Sequence, residues 1–170
     1  MSVIADGITC HSTAGHGGIH LSDDRWRKFR ALFPTLQPWA CDQWFEEDCD
    51  VAAVVVAFPE CFDDRAIYHA VCTLRITHMN AHLAEARAYL TTPAAAALIA
   101  AHDRHAAAIA DRWSVGSMGT RGKKPGWSVS VTHNSTHQSR YVVFPDYPKH
   151  ETYSTEELNA LPADEEMMSA

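Results

Sequence analysis

Apolar and polar residues alternate near both ends of the chain and recur at helical spacing between them. The alternation in "DGITCHST" and "GGIHLS" predicts two short strands around a glycine-rich turn. Ser22 then stands where a helix N-cap is expected for "DDRWRKFRALF". Asp23 and Asp24 suit the positive end of its dipole, and Pro34 ends it. Trp26, Phe29 and Phe33 share its core-facing side. The acids Glu46, Glu47, Asp48 and Asp50 predict the opening of a buried helix over residues 47–58, with Pro59 as its stop. Its valines would suit a strand equally well, and the acidic start decides for helix.

The strongest helical pattern covers residues 63–90, where Tyr68, Cys72, Ile76, Met79 and Leu83 form one apolar stripe. A second helix over residues 91–113 is capped by Thr92 with Pro93 in its first turn. The short link predicts an antiparallel helical hairpin. "WSVSVTH" and "RYVVFP" alternate again and predict a strand pair around "NSTHQS", with Trp127, Val129 and Val131 on one face. "STEEL" carries the capping-box pattern of a last short helix. The expected fold is α+β: a small antiparallel sheet packed against several helices, the hairpin among them. One globular domain is expected over residues 1–162, with an acidic flexible tail over residues 163–170.

Composition narrows the function classes. The 170 residues carry a net charge of -7, which disfavours direct contact with a phosphate backbone and favours a partner with a basic surface. The basic run Arg121, Lys123 and Lys124 beside Trp127 is too small a footprint to reverse that. Five dispersed cysteines with no C-x-x-C pattern exclude a zinc ribbon and point to a reducing, cytoplasmic setting. The start "MSVIADGITC" does not resemble a signal peptide. The apolar run at residues 51–58 falls far short of the ~20 residues that span a membrane. A P-loop, a dinucleotide fingerprint, a G-x-S-x-G elbow and an H-E-x-x-H pattern are all missing.

Three groups of residues carry candidate chemistry. The first is the loop "HSTAGHGGIHLS", where His16 would be displayed at a tip shaped by Gly17 and Gly18, able to donate or accept a proton. A tight turn with exposed histidines is the plainer reading. The second is "WFEEDCD": Trp44 with Glu46, Glu47, Asp48 and Asp50 reads as a contact patch for a basic partner, or as carboxylates for a divalent metal. Its Cys49 is surrounded by acids and is read as packed. The third is a set of four imidazoles. In an antiparallel hairpin turning at Thr91 and Thr92, His82 would face His102, and His78 would face His105, a ligand type that zinc accepts. Polar interruptions of an alanine-rich face, satisfied by neighbouring acids or water, are the plainer reading here.

"STAGHGGIHLS" followed by "WFEEDCDVAAVVVAFP" resembles a family of uncharacterised proteins found in phages, plasmids and proteobacterial genomes. That family carries an S-T-x-x-H-G-G-I-x-L-S element and then a W-Y/F-E-E-D-C-D/E helix start. The resemblance covers about residues 9–62. It implies a small accessory protein of mobile elements, and such proteins commonly act on host defence or DNA metabolism by binding. The leading expectation is a non-enzymatic protein that binds a basic surface of a host factor, such as a nuclease-based defence complex, in the host cytosol. No cofactor is expected, and a homodimer fits. The alternative is a metal-assisted hydrolase or nucleotide-acting enzyme using His16 with Glu46, Glu47 or Asp48, or the four histidines with zinc. A third reading is a virion component.

Overall fold

The computed structural model describes residues 1–12, 17–38, 42–76, 81–118 and 126–164. The chain divides into two compact units, residues 1–105 and 106–170, each with its own antiparallel sheet and apolar core. The architecture is α+β. Among the described residues no helix is long and apolar enough to cross a membrane.

The sheet of the first unit has the order β1-β2-β3-β4. It consists of β1 (Ser2–Ala5), β2 (Ile8–Ser12), β3 (Gly17–Leu21) and β4 (Trp44–Glu46). β2 and β3 are the strand pair that the alternation predicts. β1 is added ahead of them through a turn at Gly7, which takes a positive φ of 73°. The side chains of Ile8, Ile19, Leu21 and Phe45 are buried on one face. Helix α1 (Asp23–Leu32) follows as expected, with the Ser22 hydroxyl accepting from the Arg25 amide, and Phe29 and Phe33 enter the core.

β4 corrects the reading of the acidic segment. Trp44, Phe45 and Glu46 are strand, paired with His20, Ile19 and Gly18. Residues 47–50 form a turn, and the buried helix α2 (Val51–Ala57) begins four residues later than expected. The acids therefore lie before the helix rather than inside it. The three consecutive valines are helical and buried, and the helix ends at Phe58 before Pro59.

The long helix over residues 63–90 is also corrected. Helix α3 (Asp64–Arg75) ends at Ile76, which is exposed, and α4 (Ala84–Tyr89) is a separate short helix preceded by a 3₁₀ turn at Ala81–Leu83. Two features account for the stop. Ile76, Thr77 and Asn80 are poor helix formers. The Leu74 carbonyl, left without a helical partner at this end, accepts from Arg87 Nε. The buried face of α3 is Ile67, Ala70, Val71 and Leu74, one position off the expected Tyr68 and Cys72 stripe. Met79 lies outside the described residues. Helix α5 (Ala96–Ile109) is opened by a 3₁₀ turn at Pro93 and meets α3 through an Arg104–Asp64 ion pair and through the rings of His102, stacked on Tyr68, and His105, tilted against it.

The second unit has the sheet order β7-β6-β5-β8. Its strands are β5 (Trp113–Met118), β6 (Trp127–His133), β7 (Ser139–Phe144) and β8 (Thr152–Tyr153). β6 and β7 are the predicted pair, and Val129 and Val131 are buried. Trp113 belongs to β5 and not to the preceding helix, which stops at Ile109. Helix α6 (Thr155–Asn159) carries the predicted capping box. Ala163 forms a bridge to Val142, and the Asp164 amide bonds the Tyr141 carbonyl, so the first residues of the expected tail are tied to β7.

Candidate functional site

The two motif stretches are neighbours in the sheet. β3 carries the Gly-Gly pair and β4 carries the start of "WFEEDCD", and the Glu47 amide continues the ladder to the Gly17 carbonyl at 3.2 Å. The glycines make this approach feasible. A Cβ on Gly18 would lie 2.6 Å from the Phe45 carbonyl oxygen, and one on Gly17 would lie 2.0 Å from Glu47 Oε2. The acidic segment therefore runs directly along the glycine-rich strand. His16 itself lies outside the described residues, and so does His78.

This pairing builds two different faces. Outward from the core, the register places Val3, Thr9, His20 and Trp44 in one row and His11, Gly18 and Glu46 in the next. The Trp44 ring centre is 4.7 Å from that of His20 and 4.8 Å from that of His11, and Thr9 Oγ1 lies 3.2 Å from His11 Nε2. Val3 and Trp44 are exposed.

On the core side, β1, β3, the turn at residues 47–50, α2 and α3 enclose a groove of about 330 Å³. Ile4, Ile19, Val51 and Val55 line its apolar part, and Glu47, Asp48 and His69 stand among its polar residues. Glu47, Asp48 and His69 are exposed, so the carboxylates form a lip on an apolar cleft. A volume of this size accommodates a large side chain or a small ligand, with the carboxylates selecting positive charge beside it. Glu46 does not share this lip; its Oε2 accepts from the Asp48 amide at 2.9 Å.

The same turn also points inward. Asp50 is fully buried at the entry to α2, and its Oδ1 lies 2.6 Å from His82 Nε2 and 3.9 Å from Cys49 Sγ. Burial, followed by the carboxylates of Asp50, Glu46 and Asp48, pushes the Cys49 thiol up from its ordinary value. A thiol so placed is protonated at neutral pH, which argues against a nucleophilic role.

The four-histidine group is distributed differently from the expectation. His82 leaves the hairpin geometry and turns to Asp50 from the 3₁₀ turn. His102 is buried, with Nδ1 2.8 Å from Asp103 and Nε2 3.4 Å from Arg75, and its ring stacks on Tyr68. His105 lies against the same tyrosine. Among the described residues, the group able to hold a metal ion is Cys49, Asp50 and His82, whose ligand atoms all lie within 4.8 Å of one another. The sequence reading placed Asp50 and His82 in different groups and treated Cys49 as packing. The groove's His69 was also missed. No motif signals these, because Asp50 and His82 stand 32 positions apart and are brought together only by tertiary packing.

A family model described as "Domain of unknown function (DUF7007)" matches residues 1–109, a range that contains both motif stretches and every residue of the groove and of the Asp50 group. No curated protein and no solved structure matches the chain.

Proposed function

The chain belongs to the family of the domain of unknown function DUF7007, and from that premise we propose that it acts by binding a protein partner that presents an apolar side chain flanked by Lys or Arg. The observation that carries this reading is the apolar groove with Glu47 and Asp48 at its lip. An apolar anchor in a pocket supplies affinity, and charges at the rim supply selection and speed of encounter. The net charge of -7 works in the same direction, drawing in a basic surface before contact. The Trp44, His20 and His11 face offers a second aromatic surface on which Arg side chains can stack.

The resemblance of the two motifs to phage and plasmid proteins supports a cellular setting. In it the protein is a mobile-element product in the host cytosol, and the partner is a host nucleic-acid-handling complex whose basic channel this acidic surface occupies. Inhibition of a nuclease-based defence system, of the anti-CRISPR kind, is one form of that activity.

Fluorescence anisotropy with short peptides tests the reading at its base. Peptides with a central Leu or Phe flanked by Arg and Lys are expected to bind, and Glu-flanked versions of the same peptides are not. The paired change Glu47→Lys with Asp48→Lys is expected to weaken binding of the basic peptides about tenfold, since two rim charges are reversed. Equal binding of basic and acidic peptides, or indifference to the paired change, would overturn it.

A further inference from the structure

The turn at residues 47–50 gives its first two acids to the groove and its last two residues to the interior, where Cys49 and Asp50 meet His82. We propose that Cys49 Sγ, Asp50 and His82 are ligands of a divalent cation of the zinc class, at a site separate from the groove.

The donor chemistry is the first argument. One thiol, one imidazole and one carboxylate form the mixed S, N, O set that a borderline cation such as zinc accepts. Calcium and magnesium instead require oxygen alone. Geometry is the second. Around a tetrahedral zinc, an N and an O donor sit about 3.3 Å apart and an S and an O donor about 3.5 Å apart, from bond lengths of about 2.0–2.3 Å. Here His82 Nε2 and Asp50 Oδ1 are 2.6 Å apart, Cys49 Sγ and Asp50 Oδ1 are 3.9 Å apart, and all three ligand atoms fall within 4.8 Å of one another. Moving the imidazole back by less than about 1 Å reaches ligand spacing. His82 is on a 3₁₀ turn and about a quarter exposed, so it has room to make that movement.

Electrostatics is the third argument. Asp50 is wholly buried, and burying a carboxylate is costly unless positive charge or hydrogen bonding compensates it. A dication bound here meets the carboxylate directly and takes Cys49 as a thiolate, the thiol proton passing to solvent. Three protein donors leave the remaining tetrahedral position to water. The site is held on a frame that suits it: Cys49 and Asp50 enter α2, whose next residues are core, and Leu83 beside His82 is fully buried.

Cobalt(II) titration of the metal-free full-length chain tests this. Saturation at one equivalent is expected, with visible d–d bands of a tetrahedral ion and a near-ultraviolet thiolate-to-cobalt band, and zinc is expected to abolish both. Cys49→Ser should remove the near-ultraviolet band while keeping weakened visible absorption. His82→Ala should lower the affinity at least tenfold. A wild-type protein that is folded by circular dichroism yet gives no saturable spectrum would overturn the proposal and leave the Asp50–His82 contact as a plain hydrogen bond. A near-ultraviolet band that survives Cys49→Ser would overturn it too, because another of the five cysteines would then be the ligand. If a variant does not fold, the wild-type titration and the count of thiolate bonds from band intensity still decide. Peptide binding at the groove is a separate readout and is expected to be independent of cobalt.

Discussion

A pair of glycines on β3 fits closely against β4. Gly17 and Gly18 differ in what they face. A methyl group on Gly17 would meet the carboxylate end of the Glu47 side chain, which can swing aside. A methyl group on Gly18 would meet the backbone carbonyl of Phe45, which is fixed in the sheet with a buried ring below it. Gly18→Ala is therefore expected to destabilise the protein by about 1–3 kcal/mol, the cost of overpacking a fitted site, and Gly17→Ala by clearly less. Urea unfolding of the two variants at neutral pH measures the difference. Equal midpoints would mean that β4 moves freely away from β3. The same contact positions the groove lip, because β4 leads into the turn that bears Glu47 and Asp48. At this scale the sequence was informative in kind and blind in detail. Two adjacent glycines announce a close approach of something, but only the folded register shows that it is the acidic segment itself.

Elements with local signals were readable, and those set by distant partners were not. The Ser22 cap of α1, the β2–β3 and β6–β7 pairs and the box that opens α6 all rest on residues within a few positions of each other. β4 is three residues long and exists because β3 offers it a bare edge, so its Glu46 and the acids of the turn after it read as a helix start. α3 stops where Arg87, more than ten residues on, takes the carbonyl that another turn of helix would have used. The Cys49, Asp50 and His82 group was hidden for the same reason. The α6 box also makes a pH prediction. The Ser154 amide, then the Ser154 hydroxyl, hold the Glu157 carboxyl below its ordinary range. A carboxyl depressed on folding contributes stability that is present above its ordinary value and is lost as pH falls through the depressed one. Side-chain carboxyl NMR should therefore place the Glu157 midpoint below the ordinary ~4.3 of glutamate. Ser154→Ala should raise it part of the way back, since the hydroxyl bond goes and the amide remains. A wild-type midpoint at or above the ordinary value would show that the box does not hold in solution.

The whole chain is two cores joined within one helix. α5 begins in the first unit, where Leu98 and Ala101 are buried with the sheet and α3, and ends at Ile109 in the second. The family match stops at residue 109, at the end of that helix and not at the boundary between the cores. This coincidence has a physical reading: the first unit needs α5 long enough to bring in Leu98, Ala101 and His102, and a helix is most stable when its final turns are not cut away. A chain of residues 1–109 is then expected to fold without the second sheet. About a hundred residues with a continuous core of Phe29, Phe33, Phe45, the α2 valines and Leu74 fall in the range where single domains are independently stable. The checks are a single cooperative urea transition and a near-ultraviolet circular dichroism signal from Trp26, which is stacked on Phe29. The fragment should also keep the peptide affinity of the full chain, because every residue of the groove lies within it. A broad, sloping transition would show instead that residues beyond 109 complete the first core. A folded fragment that no longer bound the peptide would move the binding surface of this family out of the groove.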